Sequence, residues 1–238
     1  MDPRKRQKKL ERRHAKEKAK KRSLAMHDPR ALTTRLERAA SAPFLHCHTT
    51  STLWDEGISH VMVSRLLPSG NVAFVVFLLD VYCLGVKDVT FDIISRVRYD
   101  RLLYDRLLRE HGPVTLEPAA ARKLIEGAVA FARTHGLPPH RDYPKAMLIF
   151  GDVDPNACVE EFVYGKDGMP FFVGGPYDGP ARCRQIVDAL AASCGLDGFH
   201  YIVPVSQSMG ASLVGSSLGD DDGDDDGDAD GDEDRYLE

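Results

Sequence analysis

The order of apolar and polar positions divides this chain into a patterned middle and two ends with almost no pattern. Ile58–Leu67 alternates loosely and runs into Pro68-Ser69-Gly70-Asn71, which is turn chemistry. Val72–Val86 follows as a nearly unbroken apolar run, the pattern of a central strand covered on both faces. Together they predict a β-hairpin, with Val89–Ile94 continuing the sheet after a break at Gly85. Arg96–His111 has helical spacing, with Tyr104, Leu107 and Leu108 on one side and Gly112-Pro113 as its stop. A second helix is expected over Leu116–His135, capped by Thr115, with Ile125, Ala128, Val129 and Ala132 as its apolar stripe. Pro144–Phe150 is a short apolar element that fits either type. Glu161–Tyr164 and Pro170–Val173 flank Gly165-Lys166-Asp167-Gly168 as a second hairpin. Asp178 is placed to cap a third helix with Cys183, Ile186, Val187, Leu190 and Cys194 on one face, and Phe199–Val205 is a closing strand. Two hairpins and about three helices without βαβ alternation predict a single α+β domain.

Composition sets the boundaries of that domain. The chain has 238 residues, 43% of them hydrophobic, which is enough apolar material for one core. Its net charge of −5 conceals two opposed ends. Residues 1–22 hold twelve Lys/Arg against three acids, and residues 219–238 hold twelve acids against one base, Arg235. The expected organisation is a disordered basic arm (1–23), a helical linker (24–43), an α+β globular domain (44–206) and a disordered Asp/Gly-rich acidic tail (207–238).

The basic arm lacks the apolar face of a membrane-surface helix. Its cations suit phosphate backbones, where each contact releases condensed counterions. The residues expected to bind nucleic acid are Arg4, Lys5, Arg6, Lys8, Lys9, Arg12, Arg13, Lys16, Lys18, Lys20, Lys21 and Arg22. RNA, DNA or the ribosome are the expected partners, and the acidic tail would contact the arm intramolecularly and compete for it. Within that tail Asp222, Asp224, Asp226, Gly227, Asp230 and Glu233 fit an EF-hand register. A tract of Asp and Gly satisfies that register by chance, and no flanking helices accompany it.

No apolar h-region opens the chain, and Asp80 interrupts an apolar run already shorter than the ~20 residues of a membrane span. Five widely spaced cysteines without a CxxC read as reduced thiols. The expectation is a soluble cytoplasmic protein with no membrane contact.

Asp80 is the most informative position, the one ionisable residue in its apolar run. On an extended strand Asp80, Tyr82 and Asp88 would share one face and Cys83 and Lys87 the other. That segment is the candidate catalytic site: Asp80, Cys83, Lys87 and Asp88. Cys83 would be a thiol activated near Lys87, or the two aspartates would hold a divalent metal. The plainer reading has Asp80 bonding backbone amides and Cys83 packing as a small hydrophobe. His46 and His48 would project from one face of a strand, without further ligands at metal-site spacing. Gly174-Gly175-Pro176 reads as a strand-to-helix turn rather than a phosphate loop. No cofactor and no metal site is expected, and no nucleophile elbow, HExxH or kinase set is present.

The string DVYCLGVKD, preceded by GISHVMVSRLLPSGNVAFVVFLL, resembles an uncharacterised bacterial family. Its members share a long hairpin, the Cys-Leu-Gly-Val-Lys motif, and blocks like GLPPHRDY and FVYGKDGMPFFVGGP. The resemblance covers about residues 44–205 and implies one domain there; it implies no activity. The leading expectation is an accessory protein of nucleic acid or ribonucleoprotein. The alternatives are a hydrolase- or transferase-like enzyme with its site around Asp80–Asp88, and a protein-interaction scaffold.

Overall fold

In the structure, a computed structural model, residues 29–103 and 112–203 are described, all within a compact unit that ends at Pro204. The basic arm, the acidic tail and the second half of the Arg96–His111 helix lie outside the described residues. The fold is α+β, with six α-helices and a five-stranded sheet among the described residues. The elements run α1 (Pro29–Ala39), β1 (Phe44–Thr50), α2 (Leu53–Glu56), β2 (Ile58–Leu66), β3 (Asn71–Asp80), β4 (Gly85–Ser95) and α3 (Arg96–Leu103). They continue with β5 (Pro113–Thr115), α4 (Pro118–Thr134), α5 (Tyr143–Ala146), β6 (Phe171–Val173), α6 (Pro180–Cys194) and β7 (His200–Ile202).

The sheet is antiparallel throughout, in the order β4-β3-β2-β1-β5. The expected β2–β3 hairpin is present, with Leu66 opposite Val72 and Gly70 at φ +75° in the turn. The predicted strand Val72–Val86 does not run through. It stops at Asp80, turns over residues 81–84 and returns as β4, so the second hairpin is β3–β4.

The hairpin expected over 161–173 does not form. Lys166 and Met169 make one isolated bridge, and Phe171–Val173 pairs in parallel with His200–Ile202. The turn at Gly165–Gly168 does form, but the strand after it pairs with β7, which places Phe172 in the cluster with Ile186, Leu190 and Phe199. Thr115 is a strand residue opposite His48 rather than a helix cap, and α4 begins with Pro118 at its first turn. Asp178 caps nothing; Gly179 occupies that position before α6.

Both faces of the central strands are covered, as the unbroken apolar pattern of β3 requires. On one face Val61, Val63, Val75, Phe77 and Leu79 pack against the Leu124–Val129 stripe of α4 and against Ile149 and Phe150. The helix expected as a linker, α1, adds Leu36 and Ala39 to this core. On the other face Met62, Phe74, Val76 and Ile94 pack against Tyr99 of α3. A separate cluster joins the hairpin tip (Cys83, Leu84) and Ala132 to Phe172, Ile186, Leu190 and Phe199. That cluster seats α6 and the β6–β7 ribbon beside the β3–β4 turn. No described helix is long and apolar enough to cross a membrane.

Candidate functional site

The β3–β4 turn is built around one carboxylate. Asp80 Oδ1 accepts hydrogen bonds from the amides of Tyr82 (3.0 Å) and Cys83 (2.8 Å), the local bonding by which Asp sets a turn. Gly85, at φ +65°, completes it. A Cβ at Gly85 would lie 3.0 Å from the Ala128 carbonyl, so α4 approaches the turn closely only because that residue is glycine.

Just beyond, Leu79 pairs with Val86 and Leu78 with Asp88, which leaves Lys87 as the extra residue of a β-bulge. A bulge re-aims the side chain it carries. Lys87 Nζ meets Asp178 Oδ2 at 2.6 Å, and the same oxygen accepts the Gly175 amide at 2.9 Å. The pair thereby fastens the 174–178 loop to the hairpin.

Between this loop and the sheet lies a cleft of about 400 Å³. Ile58 and Leu78 of the sheet, with Tyr82, Phe171, Val173 and Tyr177, give it an apolar and aromatic lining. Its charged groups are Glu56, Asp80 and Lys87. Tyr82 stands against Gly57, the left-handed residue (φ +73°) that ends α2, and a Cβ at Gly57 would collide with the Tyr82 ring. The Tyr82 hydroxyl donates to the Trp54 carbonyl, and its ring lies 6.3 Å from that of Phe171. Tyr177, 98% exposed, stands at the rim.

Asp80 is only 8% exposed. Burial pushes its carboxyl up to about 6, against the pull of the turn amides and Lys87. Burial also acts to raise Asp178, but the Lys87 hydrogen bond, the Gly175 amide and the Arg182 charge outweigh it and hold the carboxyl below its ordinary value.

Of the four residues expected to form a catalytic site, the structure brings Asp80 and Lys87 to one cleft and separates the others. Cys83 is fully buried in the cluster beneath the turn. Burial and then the Asp80 charge push its thiol up, and Lys87 opposes them only weakly. A thiol buried this completely is out of reach of a substrate in the folded state, and the plainer reading, a small packed hydrophobe, fits its surroundings. Asp88 is exposed; its carboxylate accepts the Val89 amide at 2.7 Å and lies 3.8 Å from His140 Nε2. The two aspartates do not converge, because Asp80 is drawn into the turn while Asp88 faces outward. Among the described residues no three His, Cys, Asp or Glu are grouped to hold a metal ion.

His46 and His48 do share a face of β1, with rings stacked at 5.2 Å and Cys47 buried on the opposite side. His46 Nδ1 is 3.0 Å from the Tyr99 hydroxyl, which also bonds Ser64 Oγ at 2.8 Å. Burial lowers the pKa of both histidines, and the His48 charge adds to the effect on His46. His46 joins β1 to Tyr99 of α3, and His48 Nδ1 lies 3.3 Å from Thr115 Oγ1 of β5. The Gly175 amide that a phosphate would seek is taken by Asp178.

Arg65 gave no signal in the sequence, sitting inside an ordinary strand pattern. It is buried, and its guanidinium donates to the carbonyls of Ile149 (2.6 Å), Phe150 (2.9 Å) and Ala42, over the ring of Phe44. Three carbonyls left over at chain turns stand in for a carboxylate partner. The basic residues expected to bind nucleic acid, Arg4 to Arg22, lie outside the described residues.

No protein-family model, curated protein or solved structure matches this chain.

Proposed function

We propose that this chain is a cytoplasmic, non-catalytic accessory protein that docks on nucleic acid or ribonucleoprotein through its basic arm, residues 1–22. The observation that carries the reading is the arm itself, twelve cations against three acids with almost no apolar residue to bury. The acidic tail, with twelve carboxylates, competes for the arm and tunes its docking.

The core supports a non-catalytic role, because the groups that an enzyme would use have structural work. Cys83 packs, Asp80 holds the turn and Lys87 fastens the 174–178 loop to the hairpin. The five cysteines are all unpaired, which suits a reducing compartment.

The test is binding of labelled single-stranded RNA and duplex DNA to the full chain across a salt series. If half of the arm's cations engage duplex phosphates, log K falls with log salt at a slope of about −5. Replacing the arm's Lys and Arg by Gln abolishes binding, and replacing the tail's Asp by Asn strengthens it. Affinity unchanged by the arm substitutions refutes the proposal.

A further inference from the structure

We propose that the cleft between the β3–β4 turn and the 174–178 loop binds a small organic cation, an ammonium group carried on an apolar or aromatic stem. The site is independent of the arm and of its docking.

The first argument is shape and lining. The cleft's volume, about 400 Å³, lies within the range of small-ligand sites, roughly 300–1,000 Å³. Its walls are aliphatic and aromatic; Tyr82 and Tyr177 contribute ring faces of the kind that attract cations, and Phe171 already carries the Lys166 ammonium 4.9 Å from its ring centre. The Tyr82 ring is preset, since Gly57 leaves it room and the Trp54 carbonyl holds its hydroxyl.

The second argument is charge. Glu56 and Asp80 line the cleft, and Asp178 stands behind Lys87. Two carboxylates therefore line the cleft with one ammonium, and that ammonium is already engaged by Asp178 at 2.6 Å. With Lys87 engaged, the charge left in the lining is negative, which favours a cationic ligand. An anionic ligand would be repelled by the same lining.

The third argument concerns Asp80. Its Oδ1 accepts the Tyr82 and Cys83 amides, an acceptor role that the carbonyl of an Asn side chain can also fill without a buried charge. The negative charge is thus a cost to folding that the turn does not require. A costly group retained in a cleft marks function, as stability is commonly lost where a site needs a strained or charged residue.

The experiment uses the full chain and three probes of one shape: phenethylamine, phenethyl alcohol and hydrocinnamate. Binding is read by saturation-transfer NMR and calorimetry. The amine is expected to bind at least about tenfold more tightly than the alcohol, a margin of about 1.4 kcal/mol, and the carboxylate not at all. Asp80→Asn removes the preference for the amine, Glu56→Gln at the exposed rim weakens it, and acidification through pH of about 6 loosens the amine as Asp80 takes a proton. Melting curves recorded alongside show that both variants are folded. The alcohol binding as tightly as the amine overturns the proposal, as does no amine binding at millimolar concentration. An amine held equally by wild type and folded Asp80→Asn does not use the Asp80 carboxylate, and that result overturns it too.

Discussion

Lys87 and Asp178, ninety-one residues apart in sequence, meet at 2.6 Å and fasten the loop before α6 to the tip of the β3–β4 hairpin. Both side chains are mostly shielded, so removing either partner leaves the other's charge poorly solvated and without its counter-charge. Lys87→Met leaves Asp178 with the Gly175 amide and the Arg182 charge, and Asp178→Asn leaves Lys87 facing a neutral amide. Each is expected to destabilise the protein by about 1–3 kcal/mol, and the double variant by less than the sum. Chemical denaturation of the four proteins gives the coupling, and amide exchange at Gly175 locates it. Additive effects would mean that the pair does not hold the loop.

Asp80 makes stability depend on pH in the direction opposite to a salt-bridged aspartate. Its folded pKa, about 6, lies above the ordinary value of 3.8, so the folded state holds the proton more tightly. The stability linked to this group is fully present below pH of about 4 and is lost as pH rises to about 6, on the order of 2–3 kcal/mol in all. Asp80→Asn, which keeps the turn's acceptor, is expected to match wild type in acid and exceed it above pH of about 7. Parallel stability curves for the two proteins would show that the carboxyl is not perturbed.

Thiol reactivity orders the cysteines. Cys47, Cys83 and Cys183 are buried, whereas Cys158 and Cys194 are partly exposed. Under native conditions at neutral pH a thiol reagent labels Cys158 and Cys194 first, and Cys83 only on the timescale of unfolding. Mass spectrometry of the labelled peptides decides the order. Rapid labelling of Cys83 would restore the enzyme reading.

Arg65 is a structural cation. Lysine keeps its charge but not its planar fork, so Arg65→Lys cannot reach the carbonyls of Ala42, Ile149 and Phe150 together. A loss of about 2–4 kcal/mol is expected, from buried carbonyls left without donors. A shift in the denaturation midpoint at unchanged slope measures it. Wild-type stability in that variant would mean that water replaces the guanidinium.

By itself the sequence determined what short-range periodicity and charge can encode. The alternation before Pro68-Ser69-Gly70-Asn71 specified the β2–β3 hairpin, and the stripe Ile125, Ala128, Val129 and Ala132 specified the buried face of α4. The charge of Asp80 inside an apolar run marked the residue that became the site's centre, though not the turn it builds. Tertiary structure decided the rest, because those choices depend on partners distant in the chain. An apolar run through Val72–Val86 reads alike as one strand or as a strand, a turn and the start of another; the Asp80 amide bonds and the fit of Gly85 against α4 select the second. The Phe171–Val173 segment pairs with β7 rather than its neighbour, since parallel pairing buries Phe172 with Ile186 and Leu190. Asp178 left the helix cap for Lys87 because a single bulged residue turned that lysine toward it. One extra residue in a strand is invisible in a pattern of period two, yet it decides which side chains share a cleft.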